Sequence, residues 1–342
     1  MKALVVDPGV AGSARVEDVA DAEIAPGEVP VRILEVGMCG TDREIVHGLF
    51  GVAPEGEAQL VLGHEALGVV DRDGHGFARG DLVSAMVRRS CRRCIACESG
   101  SPDSCLTGDY SERGITRLHG FARELLGESP GQLVPIPRAL GRLGVLAEPT
   151  SDCVRALRHA RVIGGRQPWS LQRALVIGAG PIGTLVTFLL RLDGVDVVTT
   201  SLESSRPLIE ESGAEYAVAG SGELGTFDLV VECAGNAQLM ADALGLLRRS
   251  GVACLLGIDG REQTVSLDGR TIGVDAVLEN RVLFGSVNAR REDWLAGIEA
   301  LDDMRRRWPG ALEQLLGLRV PLDRFEDALA FAGGKATLVL SE

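Results

Sequence analysis

Four cysteines, Cys91, Cys94, Cys97 and Cys105, stand in the order C-x2-C-x2-C-x7-C. No other feature constrains the chain so tightly. Two residues between thiols turn successive sulfurs toward one point, and four thiolates at about 2.3 Å complete a tetrahedral shell around Zn²⁺. Such a shell leaves no open coordination position, so it predicts a structural zinc that holds a loop and does no chemistry. Arg92 and Arg93, interleaved with the thiols, help to offset the charge of a tetrathiolate. Disulfides are the competing reading, but cysteines two residues apart pair only in strained or redox roles. Met1-Lys2-Ala3-Leu4-Val5-Val6-Asp7 reads as a strand entering a turn, not as a secretory leader. Eight cysteines, four of them in one cluster and no leader, set the expected compartment as the reducing cytoplasm.

With 342 residues, 45% of them hydrophobic, the chain has enough apolar side chains for a large core divided between two domains. Its net charge of −13 repels phosphates and anionic headgroups, which argues against nucleic acid and membrane surfaces as partners. The same balance argues against reading the four-cysteine lobe as a nucleic-acid module. Arg88-Arg89 and Arg305-Arg306-Arg307 are then solvated faces. The longest apolar stretch, Ala174 to Leu190, is broken by Gly178, Gly180, Pro181 and Gly183, so it reads as strand, turn and helix instead of a membrane span.

Up to about residue 150 the text is short strands and Gly-rich turns, as in Val61–Val70 and Gly80–Val83, which predicts a β-rich, barrel-like domain. A helical pattern covers Gly144–Ala160. From Arg173 strands alternate with helices, at Ala174–Ile177, Val195–Val198, Asp228–Val231 and Val252–Leu256, and Val282–Asn288 ends the run. That alternation predicts an α/β fold with a doubly wound parallel sheet. The tail returns to a strand-like Ala336–Leu340.

Gly178-Ala179-Gly180-Pro181-Ile182-Gly183 follows the first of these strands and opens an apolar helix. In that setting the first glycine makes the tight turn, the second lets backbone approach a pyrophosphate, and the third lets helix and strand pack closely. The helix N-terminus offers N–H groups to the phosphates. At the end of the second strand, where an acidic residue usually accepts the ribose 2′-OH of NAD, the chain has Ser201. Ser204, Ser205 and Arg206 suit a 2′-phosphate and favour NADP; Glu203 pulls toward NAD.

Cys39-Gly40-Thr41-Asp42, Gly63-His64-Glu65 and Glu148-Pro149 bring a thiolate, an imidazole and two carboxylates ahead of the dinucleotide region. A catalytic zinc takes three protein ligands and leaves a position for water or substrate, and these residue types suit that role. Taken singly, each residue also has a structural reading, as a small buried hydrophobe, a core histidine or a helix-end charge.

At these residues the chain resembles the zinc-dependent medium-chain dehydrogenases/reductases, over essentially its whole length, and most closely the archaeal-type glucose dehydrogenase branch. The segments that carry the likeness are Cys39–Val46, Leu62–Gly68, Glu112–Ile115, His119–Phe121 and Gly285–Ala289. The resemblance implies a GroES-like catalytic domain from residues 1–153 and 286–342, with a zinc lobe at 88–108, and a Rossmann domain at 154–285. It implies that Cys39 and His64 ligate a catalytic zinc, with Glu65 and Glu148 binding it directly or through water, so that the chain carries two Zn²⁺. It further implies that Glu112, Asp152 and Asn288 face a sugar's hydroxyls. Thr41 would pass the substrate's proton. Gly178, Gly180, Pro181, Ile182, Gly183, Ser201, Arg206, Gly257, Ser286 and Asn288 would line the NADP or NAD site. Glu44 stands five residues after Cys39, where alcohol and polyol dehydrogenases often carry a relay histidine. The activity implied is hydride transfer between a sugar or polyol alcohol and NAD(P), in a homo-oligomer, dimer or tetramer. The rival readings are a dehydrogenase of another polyol, amino sugar or cyclitol, and a catalytically silent NADPH-binding relative.

Overall fold

The computed structural model describes residues 1–222 and 224–341. They form two compact units. One comprises Met1–Ser151, Asn288–Asp302 and Leu316–Glu342, and the other Asp152–Val287 and Asp303–Leu315.

The first unit is built on Val29–Met38, a ten-residue strand with most of its side chains buried. It pairs antiparallel with Glu65–Val70 and with Ala336–Val339, so the C-terminal segment is part of this unit's main sheet. Leu125–Glu128 pairs with its N-terminal half. Leu318–Pro321, parallel to Ala336–Val339, closes one edge, and Leu82–Ala85 with Leu133–Pro135 closes the other. A smaller sheet joins Arg15–Asp18, Lys2–Val6 and Leu60–Val61. Leu4, Val6, Ile45, Leu60, Leu62 and Leu338 are fully buried in one core, while Val29, Ile33, Val36 and Leu126 lie in another. The β-rich organisation expected from the sequence is present. Glu65 and His64 sit where Glu65–Val70 begins, beside the end of Val29–Met38, because Gly37 pairs with Glu65 in the register.

The second unit holds a six-stranded, wholly parallel sheet in the order Glu215–Val218, Asp196–Ser201, Arg173–Ile177, Phe227–Glu232, Leu247–Leu255, Val282–Gly285. In sequence order this is 3-2-1-4-5-6, the doubly wound arrangement that binds dinucleotides at the carboxyl ends of its strands. The strands are continuous apolar runs because helices cover both faces of such a sheet. The helix Pro181–Leu192 starts with proline at its first position, where a missing N–H costs nothing. Asp303–Leu315 belongs to this unit, and Trp308 meets Phe188 of that helix edge-on at 4.9 Å. No helix among the described residues is long and apolar enough to cross a membrane.

Candidate active site

Cys39 caps the helix Gly40–Val46, and its sulfur accepts the Thr41 amide at 3.2 Å. The Asp42 side chain returns the favour, taking the Cys39 amide at 2.9 Å, so the local capping box already orients the thiol. Cys39 Sγ lies 3.1 Å from His64 Nε2. Asp42, fully buried, stands 3.4 Å behind His64 Nδ1, a separation long for a hydrogen bond but close enough for charge. A carboxylate behind one ring nitrogen leaves the other to a metal, which is the usual support of a ligating histidine. Burial works against the His64 imidazolium, yet the Cys39 thiolate and Asp42 carboxylate raise its pKa well above the ordinary value. Burial likewise opposes the Asp42 charge, and His64 outweighs it and holds Asp42 low.

Ligand atoms of Cys39, His64 and Glu65 all fall within 4.8 Å of one another. Glu65 is 1% exposed, and its Oε2 is buried without a hydrogen-bond partner. Such an atom is costly unless something cationic fills the space, so the donor set fits a metal. Its other oxygen is 2.6 Å from the ammonium of Lys335, itself 1% exposed, which also donates to the Met38 carbonyl at 3.4 Å. Burial opposes the Lys335 charge, but Glu65 and then Cys39 raise its pKa. Glu148 is buried in the first turn of the helix Ala147–Gly164, outside the 4.8 Å cluster, and its charge also acts on Lys335. Asp42 and Lys335 were not assigned from the sequence. Their signal was weak: Asp42 is only the end of a Cys-Gly-Thr-Asp run, and Lys335 reads as a polar residue entering a strand.

Cys91, Cys94, Cys97 and Cys105 form the second cluster within the same 4.8 Å limit, and none is in a disulfide. Cys94 Sγ is 3.5 Å from Cys97 Sγ and accepts the Leu106 amide at 3.5 Å. The Thr107 hydroxyl holds the Cys105 thiol down to about 6, whereas burial and the neighbouring thiols push Cys97 up to about 12. Four sulfurs this close cannot all ionise without a cation, and a tetrahedral metal supplies it. Arg93 pairs with Asp109 at the edge of the lobe.

Glu112 lies on the strand Ser111–Arg113, with Arg88 at 2.9 Å. Asn288, buried, adopts a left-handed φ of +68°, which asparagine tolerates better than most side chains. Thr41 and Glu44 share the Gly40–Val46 helix, and Glu44 Oε2 is buried without a hydrogen-bond partner. Asp152 falls in the second unit.

In that unit Gly178 has φ +101°, and a Cβ there would meet the Ala234 amide nitrogen at 2.9 Å. A Cβ on Gly183 would fall 1.8 Å from the Gly178 carbonyl. One on Gly180 would meet nothing within 4 Å. The loop is thus closed behind and open at its middle glycine, the shape that admits a pyrophosphate. Gly257 donates to the Glu232 carbonyl at 3.0 Å, and Ser286 Oγ accepts from Arg155 at 2.8 Å. Glu232, fully buried at the end of the strand Phe227–Glu232, accepts the Ala234 amide at 2.9 Å and braces the loop beside the glycines; its position was not anticipated. Ser201 donates to Glu203, and Arg206 reaches the other Glu203 oxygen at 2.8 Å. The Ser201 hydroxyl, then Arg206, holds the Glu203 carboxyl below its usual range.

Residues 141–340 match the model of the glucose dehydrogenase C-terminus, and residues 25–138 that of the alcohol dehydrogenase GroES-like domain. The chain belongs to the glucose dehydrogenase family. The glucose 1-dehydrogenase of Methanocella arvoryzae is 40% identical over 96% of this chain and 96% of its own. A solved structure of Haloferax mediterranei glucose dehydrogenase in complex with NADP, Zn and gluconolactone superposes with a TM-score of 0.90, 31% identity and full coverage of both chains. Galactitol-1-phosphate dehydrogenase from Escherichia coli, at 23% identity and a TM-score of 0.84 over 99% of this chain and all of its own, shares the fold.

Proposed function

We propose that this member of the family is a zinc-dependent dehydrogenase that oxidises the anomeric or a secondary alcohol of a glucose-like sugar with NAD(P). The observation that carries the reading is the three-donor set Cys39, His64 and Glu65, with Glu65 Oε2 buried and unpartnered. Three ligands leave one position for substrate, whereas the four cysteines leave none. Glu148, outside that three-donor cluster, would meet the same ion through water, which keeps the open position. Family membership and the Haloferax complex with NADP, Zn and gluconolactone support the same chemistry.

A zinc ion bound here would supply Lewis-acid polarisation of the substrate hydroxyl, and a bound nicotinamide would supply the hydride acceptor. Cys39, His64 and Glu65 would hold the ion, with Asp42 keeping the imidazole turned to it. Thr41 would relay the hydroxyl proton, its Oγ accepting that proton as its own passes onward to the cofactor ribose or to solvent. Glu112, Asp152 and Asn288 orient the remaining hydroxyls, and Gly178–Gly183 cradles the pyrophosphate. The catalytic domain of this reading is residues 1–153 and 286–342, with the dinucleotide domain at 154–285.

A panel of sugars, deoxy sugars and polyols, each with NAD and NADP, tests the reading. Glucose-like sugars should be oxidised well and deoxy analogues poorly, because a site built to bond several hydroxyls leaves polar groups unpaired when one is missing. Simple alcohols turning over as fast as any sugar would remove it. NADP is the preferred cofactor in this reading, the 2′-phosphate taking Ser201 and drawing Arg206 from Glu203. Arg206→Ala should then raise the KM for NADP about tenfold and leave that for NAD nearly unchanged. A wild-type preference for NAD would instead give Glu203 the ribose.

The chain is further read as a cytoplasmic homo-oligomer, dimer or tetramer. The strand Val282–Gly285 is the last of its sheet, its outer edge paired with no strand among the described residues, and Val277, Leu278, Leu283 and Val287 near it are exposed apolar side chains, a combination that favours a second copy. Sedimentation as a monomer at micromolar concentration would exclude it.

A further inference from the structure

We infer that Arg88 is a positioning residue for sugar recognition, tying the Glu112 carboxylate to the four-cysteine lobe. Arg88 and Glu112 stand directly opposite each other in the antiparallel pair Arg88–Arg89 and Ser111–Arg113. Arg88 Nε is 2.9 Å from Glu112 Oε1, and the two side chains are only 9% and 12% exposed. The other arm of the guanidinium, Nη1, donates to the Asp103 carbonyl at 2.7 Å. Its plane rests over the Tyr110 ring at 4.1 Å. Asp103 belongs to the short turn Pro102–Ser104, which lies between Cys97 and Cys105 and accepts a second bond, from Ser90 Oγ to the Pro102 carbonyl at 2.6 Å.

These contacts form one mechanical series. The metal shell fixes Cys97 and Cys105, the turn between them fixes the Asp103 carbonyl, that carbonyl fixes Arg88, and Arg88 orients Glu112. The Glu112 backbone is held without the Arg88 side chain, its amide bonded to the Thr116 carbonyl at 2.7 Å and its carbonyl accepting the Thr116 amide at 2.9 Å. Only its side chain therefore depends on Arg88. The series needs arginine, because a planar fork donates in two directions from one rigid group while a lysine ammonium on a flexible stem does not. A lobe that performs no chemistry thus acts on substrate selection. The inference rests on the reading of Glu112 as a sugar-facing carboxylate.

The test uses zinc-loaded enzyme saturated with NADPH. Its melting temperature is recorded with and without glucose, because a ligand that binds the folded state raises it. Glucose and NADP KM values and zinc content are measured on the same preparations. Arg88→Met should abolish the glucose-dependent rise and increase the glucose KM about tenfold. The NADP KM should stay within twofold and both zincs should remain. Arg88→Lys, which keeps the charge and the fold but not the fork, should fall between; it carries the test if the methionine variant does not fold. Glu112→Gln should show the same loss, with the double variant no worse, as expected of two residues acting as one unit. A wild-type glucose response in Arg88→Met beside a lost one in Glu112→Gln overturns the coupling and leaves the Glu112 reading intact. An unchanged Glu112→Gln overturns the Glu112 reading and the coupling with it. Equal increases in both KM values would mark a general loss of structure and also overturn it.

Discussion

Replacing His64 by Ala is expected to leave one zinc per chain where the wild type carries two, and to lower kcat on the order of 10³-fold, about 4 kcal/mol of Lewis-acid assistance. NADPH binding should be unchanged, since Gly178–Gly183 belongs to the other unit. Cys94→Ser should produce the opposite pattern, losing the other zinc and melting several degrees lower while Cys39, His64 and Glu65 keep theirs, because a closed thiolate shell contributes folding energy directly. Elemental analysis with calorimetry separates the two. A wild-type ratio near one that does not rise when Zn²⁺ is added back would refute the second metal.

Lys335→Met should be the most destabilising single change near the metal. It leaves the Glu65 carboxylate buried and, on that side, unpaired, and breaking one member of a buried pair costs about 3–5 kcal/mol. Both residues lie in the first unit, and at about 2–4 °C per kcal/mol for a unit of roughly 150–250 residues, its melting temperature in the zinc-free protein should fall by roughly 10 °C. Adding Glu65→Gln should restore most of the loss, because the orphaned charge goes with it. The folded Lys335 ammonium has a raised pKa, so its contribution is complete below the unfolded lysine value and fades only as pH climbs through the folded one. The difference between wild type and variant should therefore be flat through neutral pH. A melting temperature within 2 °C of wild type would show that Glu65 has another partner.

The cysteine cluster and the glycine loop were legible because each is a short-range pattern. Two residues between thiols, or between glycines at a strand-to-helix turn, set the local geometry whatever surrounds them. The parallel sheet was legible too, since strands buried on both faces must be written as apolar runs. The handedness of βαβ crossovers restricts the possible strand orders, and the structure selects 3-2-1-4-5-6 among them.

Other parts of the site depend on contacts made across the sequence. Lys335 meets Glu65 only because the Ala336–Val339 strand returns to pair with Val29–Met38, which places the two 270 positions apart in sequence at 2.6 Å. Asp42 gains its role through the register that sets Glu65 against Gly37, bringing His64 within 3.4 Å. Arg88 reads as one of two solvated arginines until the strand pairing puts it opposite Glu112, where it is 9% exposed. Residue types and local spacing thus marked a closed four-thiolate cluster and a dinucleotide loop. The long-range sheet register alone decided which charged side chains are buried beside them, because burial and pairing of a charge depend on what the rest of the chain brings to it.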